Sequence, residues 1–383
     1  MLQSSKKHSP SNAGWGNPPW QIDFRSTARA LPSEVDFAIV GGGFSGLSAA
    51  ARLRQVQSDK TTVVFEGDCV GAGSSGHTGG MTLAESAAGD LPGLGDVLNG
   101  FAEIQRELEI ECDFNLPGVW ELGRKKVKKD SPISWNDSGT LGVVNDVPGG
   151  SADPGKLVSG LAHAAQHAGA VIFEHARVER ISHEQPLELE VRGKRVRVGQ
   201  VLIATNAESL ELSDLSGGAE PKFTLALATA PLTDAQLRDV GLSTRKPFYT
   251  VDMPYLWGRP LHGHQLIFGR GLVHLEHWSE LLNLNIASGE AAGLMRLLES
   301  RVRCLHPALK NIQFTNRWGG PILIADEMTP VFKHHLKSKN IIVLGGYSGH
   351  GVALSVYLGR WAADVLAGKR KLPSWNKSLG AKH

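Results

Sequence analysis

The decapeptide GGGFSGLSAA at residues 41–50 constrains this 383-residue chain more than any other feature. It stands between two apolar runs, residues 36–40 and 61–66, and the order reads strand, glycine turn, helix over 45–56, strand: one βαβ unit. Gly41, Gly43 and Gly46 supply a GxGxxG spacing, and Ala50 adds a small residue where helix and strand pack. The first glycine permits a tight turn, the second lets backbone approach a pyrophosphate, and the third brings helix against sheet. Amides at the helix start, at Phe44 and Ser45, then face negative charge with the dipole in their favour. Glu66 ends the second strand, where a carboxylate accepts hydrogen bonds from both ribose hydroxyls and repels a 2′-phosphate. The spacing recurs as GAGSSG at 71–76, but that copy follows Glu66 too closely to open another strand and helix.

Around this unit the length fits about two domains of roughly 150 residues each. Helical spacing of Val97, Phe101, Ile104 and Leu108 is followed by a strand at GVWELG. Asp153 and Pro154 open a helix through KLVSGLAHAAQHAG as cap and first-turn residue. Strands follow at 170–173, 177–181, 187–191 and 201–205. Residues 222–273 read as antiparallel strands about turns such as HGH, a helix covers 289–305, and strand 341–344 with helix 352–367 returns to the opening style. We therefore expect an arm over 1–34, with Trp15 and Trp20 available to pin it, although a disordered tail fits the same composition. A nucleotide-binding domain is expected from 35–90, 150–215 and 316–373, and a substrate domain from 91–149 and 216–315.

The balance of 40 basic and 38 acidic residues gives no field that selects nucleic acid or a membrane surface. Cys69, Cys112 and Cys304 are odd in number and lack CxxC spacing, which disfavours a disulfide framework or a thiolate zinc site, and a reducing, cytoplasmic setting is the simplest expectation. The leader, with Lys6, Lys7, Pro10, Pro18 and Pro19, has no apolar signal core, and no integral membrane segment is expected. Arg25 and Arg29 after Asp23 leave a mitochondrial presequence open. The pairs His262 and His264, His274 and His277, and His334 and His335 lack completing carboxylates or thiolates; solvated turns, not a metal site, are expected there.

The fingerprint with Glu66, then GAGSSGHTGGM, then GGYSGHGVALSVYLGRWAADVLAG near the C-terminus, resembles the FAD-dependent D-amino-acid oxidase superfamily. The likeness runs from about Asp36 to Gly368 and is nearest to glycine and sarcosine oxidases and γ-glutamylputrescine oxidoreductases. It implies an α/β fold: a Rossmann-like FAD-binding domain with an inserted α+β substrate domain built on an antiparallel sheet. It also implies that Gly73, Ser74, Ser75, His77, Thr78, Gly79, Gly80 and Met81 pass along the FAD and under its ring. Val178 falls at the family's adenine contact, and Thr205 and Asn206 close a supporting strand. In the C-terminal motif, Gly346, Ser348, Gly349, His350 and Gly351 form a loop before a helix beginning at Val352, whose N-terminus can face the flavin N1 and C2 carbonyl. His350 either lies beside the ring or bonds a loop carbonyl.

The resemblance implies oxidation of a small amine or amino acid to an imine by hydride transfer to flavin N5, in a pocket that keeps the amine neutral. Tyr255 and Trp257, on an inserted-domain strand, Trp318 before a GGP turn, and Tyr347 with His350 are the pocket candidates, and each aromatic could equally be core packing. Pro321 stands where amino-acid-oxidising relatives place a carboxylate-gripping arginine; Arg259 or Arg270 could substitute or face solvent. An amine without an adjacent carboxylate is therefore favoured. Ile267 matches the lysine by the flavin of sarcosine oxidases, which leaves oxygen or a quinone- or dye-type acceptor open. No cysteine lies in ILIADEMTP, so non-covalent FAD is expected. A flavin-binding assembly protein without turnover is the alternative.

Overall fold

A computed structural model describes residues 13–28, 30–215 and 217–375. Lys6, Lys7, Pro10, Arg29 and the domain boundary at Ser216 lie outside the described residues. Strand Glu34–Val40 pairs in parallel with Thr62–Phe65 on one side and Lys194–Ile203 on the other. Val171–Phe173 and Ser338–Gly345 extend the sheet outward, again in parallel, and Val331–His335 closes one edge antiparallel. The runs VVF, VLI and IIVL are buried without alternation because helices cover one face and strands 178–182 and 187–191 pack with the other. A meander, Val178–Ser182 with Leu187–Val191 and Lys194–Ile203, branches from the same sheet.

Helix Phe44–Val56 connects the first two strands, and its Ala49, Ala50 and Ala51 are fully buried. The C-terminal helix Gly351–Leu366 lies across it at very short range. Ser48 Oγ donates to the Val356 carbonyl at 2.7 Å, and Arg52 Nε meets Asp364 Oδ1 at 2.8 Å. Helix Pro154–His167 packs beside them, capped by Asp153 accepting from the Lys156 amide at 2.9 Å.

The second sheet is ordered Phe314–Ala325, Ala219–Thr229, Leu266–His274, Trp257–Pro260, Phe248–Thr250, Val119–Gly123, Thr140–Val147, Trp135–Asn136. It is antiparallel except where Phe248–Thr250 runs parallel to Val119–Gly123. Helix Gly289–Leu305 covers one face through Met295, Leu298 and Val302. The architecture is thus the expected two-sheet α/β fold, with two boundary differences. Phe314–Ala325 is a strand of the second sheet, so a division at 316 cuts through it. Helix Val97–Glu107 joins the first core instead, where Phe101 is fully buried and Tyr357 Oη donates to the Leu94 carbonyl at 2.8 Å. The expected GGP turn is also continuous strand, with Pro321 opposite Phe223.

The arm sutures the two sheets. Trp15 Nε1 donates to the Leu281 carbonyl at 2.9 Å and Trp20 Nε1 to that of Gly76 at 2.7 Å. Farther on, the Ser26 amide donates to Glu174 Oε2 at 2.8 Å.

The helix crossing predicts one stability effect. A Cβ at Gly359 would lie 2.3 Å from the Ser45 carbonyl oxygen, backbone that cannot retreat. Gly359→Ala should cost about 1–3 kcal/mol through overpacking, read as a lower Tm in thermal melts; an unchanged Tm contradicts this crossing.

Candidate dinucleotide and substrate site

The carboxyl ends of the central strands meet in a crevice where strand order reverses about Glu34–Val40, the usual ligand position in an open α/β sheet. Gly41, Gly43, Glu66, Gly73, Ser74, Ser75, Val178, Thr205 and Asn206 all line it. At Gly46 a Cβ would sit 2.0 Å from the Gly41 carbonyl oxygen, so only glycine lets the helix start come so close to the strand end. Gly43 caps the helix with no side-chain hydrogen bond, and the Phe44 amide donates to Ser75 Oγ at 3.0 Å.

Glu66 accepts from the Gly42 amide at 2.7 Å and from the Asp68 amide at 2.8 Å. Burial, with Glu208 and Asp68 nearby, outweighs those donors and pushes its carboxyl up to about 7. Arg177, Glu208, Ser209 and Leu212 also line the crevice and escaped the sequence reading. Arg177 Nη1 donates to Ser209 Oγ at 3.2 Å and Nη2 lies 3.7 Å from Glu208. The signal available was a cation immediately before Val178, at the start of a strand.

Asn206 ties the chain ends together: its Nδ2 donates to Ser74 Oγ at 3.2 Å, and its Oδ1 accepts from the Gly346 amide at 3.0 Å. Ser74 Oγ also donates to the Pro321 carbonyl at 2.8 Å, joining the second sheet. His77 shares Nδ1 with the Gly73 carbonyl at 3.0 Å, and burial holds its pKa below the usual imidazole value. Thr78 and Gly79 lead from its short helix to Gly80 and the strand Met81–Leu83. In the C-terminal loop the Ser348 amide donates to the Leu323 carbonyl at 3.1 Å, Gly349 is exposed, and Gly351 and Val352 open the terminal helix. His350 precedes that helix, and burial lowers its pKa.

The substrate candidates separate. The ring of Trp257 is pressed between Gly79 and Gly269, where built Cβ atoms would fall 2.1 and 2.0 Å from it. Trp318 is fully buried and donates Nε1 to the His77 carbonyl at 3.0 Å, with Trp20 edge-on at 5.4 Å. Tyr347 differs from expectation: its hydroxyl lies 2.6 Å from Ser45 Oγ, in the buried contact between the C-terminal loop and the nucleotide helix. Tyr255 lies in the loop before Trp257–Pro260 rather than on the strand, 43% exposed, with its carbonyl accepting from Arg301 at 2.7 Å. Arg259 is buried, donating Nε to the Gly79 carbonyl at 2.6 Å and Nη2 to that of Ala152 at 3.1 Å. Burial takes its pKa down to about 10. Arg270 sits beside Arg301, past Phe268 and the aromatic core of Trp135 and Phe248.

His335 corrects the expected solvated turn: it is buried at the end of strand Val331–His335, 2.8 Å from Asp214 and stacked on His183 at 4.6 Å. His262, His264, His274 and His277 do lie at turns or strand ends on the surface side. Among the described residues no helix is long and apolar enough to cross a membrane.

A glycine-started helix, the Glu66 carboxylate and a C-terminal loop tied to the crevice through Asn206 define a dinucleotide-binding fold. The chain belongs to the FAD dependent oxidoreductase family, whose model matches residues 36–365. It is 26% identical over 377 residues to γ-glutamylputrescine oxidoreductase of Escherichia coli K12, covering 87% of this chain and 84% of that protein. The solved glycine oxidase of Geobacillus kaustophilus superposes with a TM-score of 0.69 at 20% identity, covering 89% of this chain and 96% of that one. L-proline dehydrogenase from P. horikoshii gives 0.69 at 18% identity, covering 90% and 96%. FAD is the cofactor, and the reaction is FAD-dependent oxidoreduction. The residues present fit it: Thr205 Oγ1, on the wall of the crevice, is a buried polar atom with no hydrogen-bond partner.

The raised carboxyl of Glu66 gives a signed pH effect. Its ionised form is the better acceptor for ribose hydroxyls, so FAD affinity should weaken as pH falls through about 7. Glu66→Gln should weaken FAD binding about tenfold or more and remove that dependence in fluorescence titrations. For the apoprotein the sign reverses. A raised acid contributes stability below its ordinary value of 4.5 that is lost as pH rises through about 7, so Glu66→Gln apoprotein should melt higher than wild type above pH 7.

Proposed function

We propose that this protein oxidises the C–N bond of a small amine that lacks an adjacent carboxylate, with release of an imine that water then hydrolyses. When bound, FAD supplies the hydride acceptor at its ring N5. Glu66, the amides at Gly43 to Ser45, Thr205 and Asn206 hold the nucleotide part, and the 74–81 segment with the 346–352 loop holds the ring from both sides. FAD is held non-covalently, a reading supported by the absence of cysteine from Phe314–Ala325 and the residues that follow it through Pro330.

The observation that carries the substrate class is the apolar floor facing the 74–81 segment. Trp318, Ile267, Ala226 and Ala228 are buried together there with Trp20, and Trp257 and Leu261 pack on them. Such a wall disfavours an ammonium ion and delivers the free amine, whose lone pair drives hydride loss from the neighbouring carbon. Arg259 already holds two backbone carbonyls, which supports a substrate without a carboxylate. His350, whose pKa burial lowers, bonds the Ser348 backbone of its own loop and so serves to hold that loop. Ile267, buried in the floor, supports a quinone- or dye-type acceptor ahead of oxygen.

Anaerobic mixing with a panel of primary and secondary amines, each paired with its α-carboxylated analogue, tests the proposal. Flavin absorbance should bleach with the amines and persist with the amino acids; the opposite order contradicts the reading, and inertness throughout supports a protein without turnover. Trp257→Ala should lower kcat/KM for the best amine about tenfold or more while flavin content is retained.

A further inference from the structure

We infer that Asp68, Cys69 and His175 form a binding site for a zinc-like divalent cation at the rim of the adenosine crevice. The three side chains come from two segments: the turn after Glu66 and the residues after strand Val171–Phe173. One donor atom from each lies within 4.8 Å of the others. Cys69 Sγ is 3.8 Å from His175 Nε2, and Asp68 Oδ1 is 3.6 Å from His175 Nδ1. Tetrahedral zinc bonds of about 2.0–2.3 Å separate neighbouring donors by roughly 3.5 Å, so the exposed His175 ring must turn to present a single nitrogen and close the 4.8 Å spread of the three donors.

The backbone frame is already braced. The His175 amide donates to the Asp68 carbonyl at 2.7 Å, the Ala176 amide to that of Glu66 at 2.7 Å, and the Val70 amide to Glu174 Oε1 at 2.8 Å. His175 holds φ 53°, the left-handed region, which turns its side chain back toward the Asp68 turn. A thiolate, an imidazole and a carboxylate are a donor set suited to zinc, with the fourth position left for water.

Asp68 supplies negative charge to the cluster, and a divalent ion bound there takes the place of the Cys69 thiol proton.

The test uses full-length FAD-loaded protein and zinc alone, titrated against a chromophoric chelator, with X-ray absorption at the zinc edge. The expected result is one equivalent bound, with one sulfur and the remaining ligands nitrogen or oxygen. Cys69→Ser and His175→Ala should each lose this binding with flavin content unchanged, and Cys304→Ser should retain it. Cobalt in place of zinc should give tetrahedral d–d bands to the red of the flavin spectrum, absent in Cys69→Ser. No stoichiometric zinc in the wild type, or equal binding by Cys69→Ser, would overturn the site. Loss of flavin from wild-type protein would instead strike at the cofactor reading, so the two failures are distinguishable.

Discussion

The close approach of helix Phe44–Val56 to the end of strand Glu34–Val40 is the contact on which the remainder depends. With no side chain at Gly46, the first helical turn rests on the Gly41 carbonyl, and the helix opens at Gly43 on the wall of the crevice. A β-carbon would push the helix off the strand and turn its opening away from the crevice. The C-terminal helix locks the arrangement from behind, through Ser48, Arg52 and the Tyr347 hydroxyl on Ser45. The charge-binding end of the site is therefore a property of backbone packing. Glu66, on the wall of the same crevice, is held by two amides against the cost of burial.

The ring end is built differently, from a seam between two sheets. The 74–81 segment is anchored to the nucleotide side by Asn206 and to the second sheet by Ser74 on Pro321 and Trp318 on His77. Arg259 reaches through the floor to the Gly79 carbonyl, and Trp257 lies flat on the same residue. Trp15 and Trp20 of the arm finish the seam from outside.

Local patterns carried most of this fold into view. The βαβ unit, the Asp153 cap and helix Gly289–Leu305 were legible because period, capping and turn chemistry act within a few residues. The nucleotide crevice was legible for the same reason, since its glycines and Glu66 lie within one unit. What escaped depended on partners far along the chain. Tyr347 reads as a loop aromatic until Ser45, 302 positions away, is placed beside it. Arg259 reads as a surface cation until two carbonyls from other segments enclose it. His335 ends a strand whose KHH run hides its burial against Asp214 and His183. Glycines 319 and 320 suggested a turn, whereas the packing of Phe223 and His77 over them explains their absent side chains in a straight strand. The Asp68, Cys69 and His175 cluster likewise joins residues more than a hundred positions apart.

The central claim is that one FAD rests on the amides after Gly43 and is held without a covalent bond. Acid precipitation of purified protein, followed by chromatography of the supernatant, measures it directly. The account predicts about one equivalent of intact FAD in solution and a colourless pellet. Protein that yields no flavin even after incubation with excess FAD, or a yellow pellet, would contradict it.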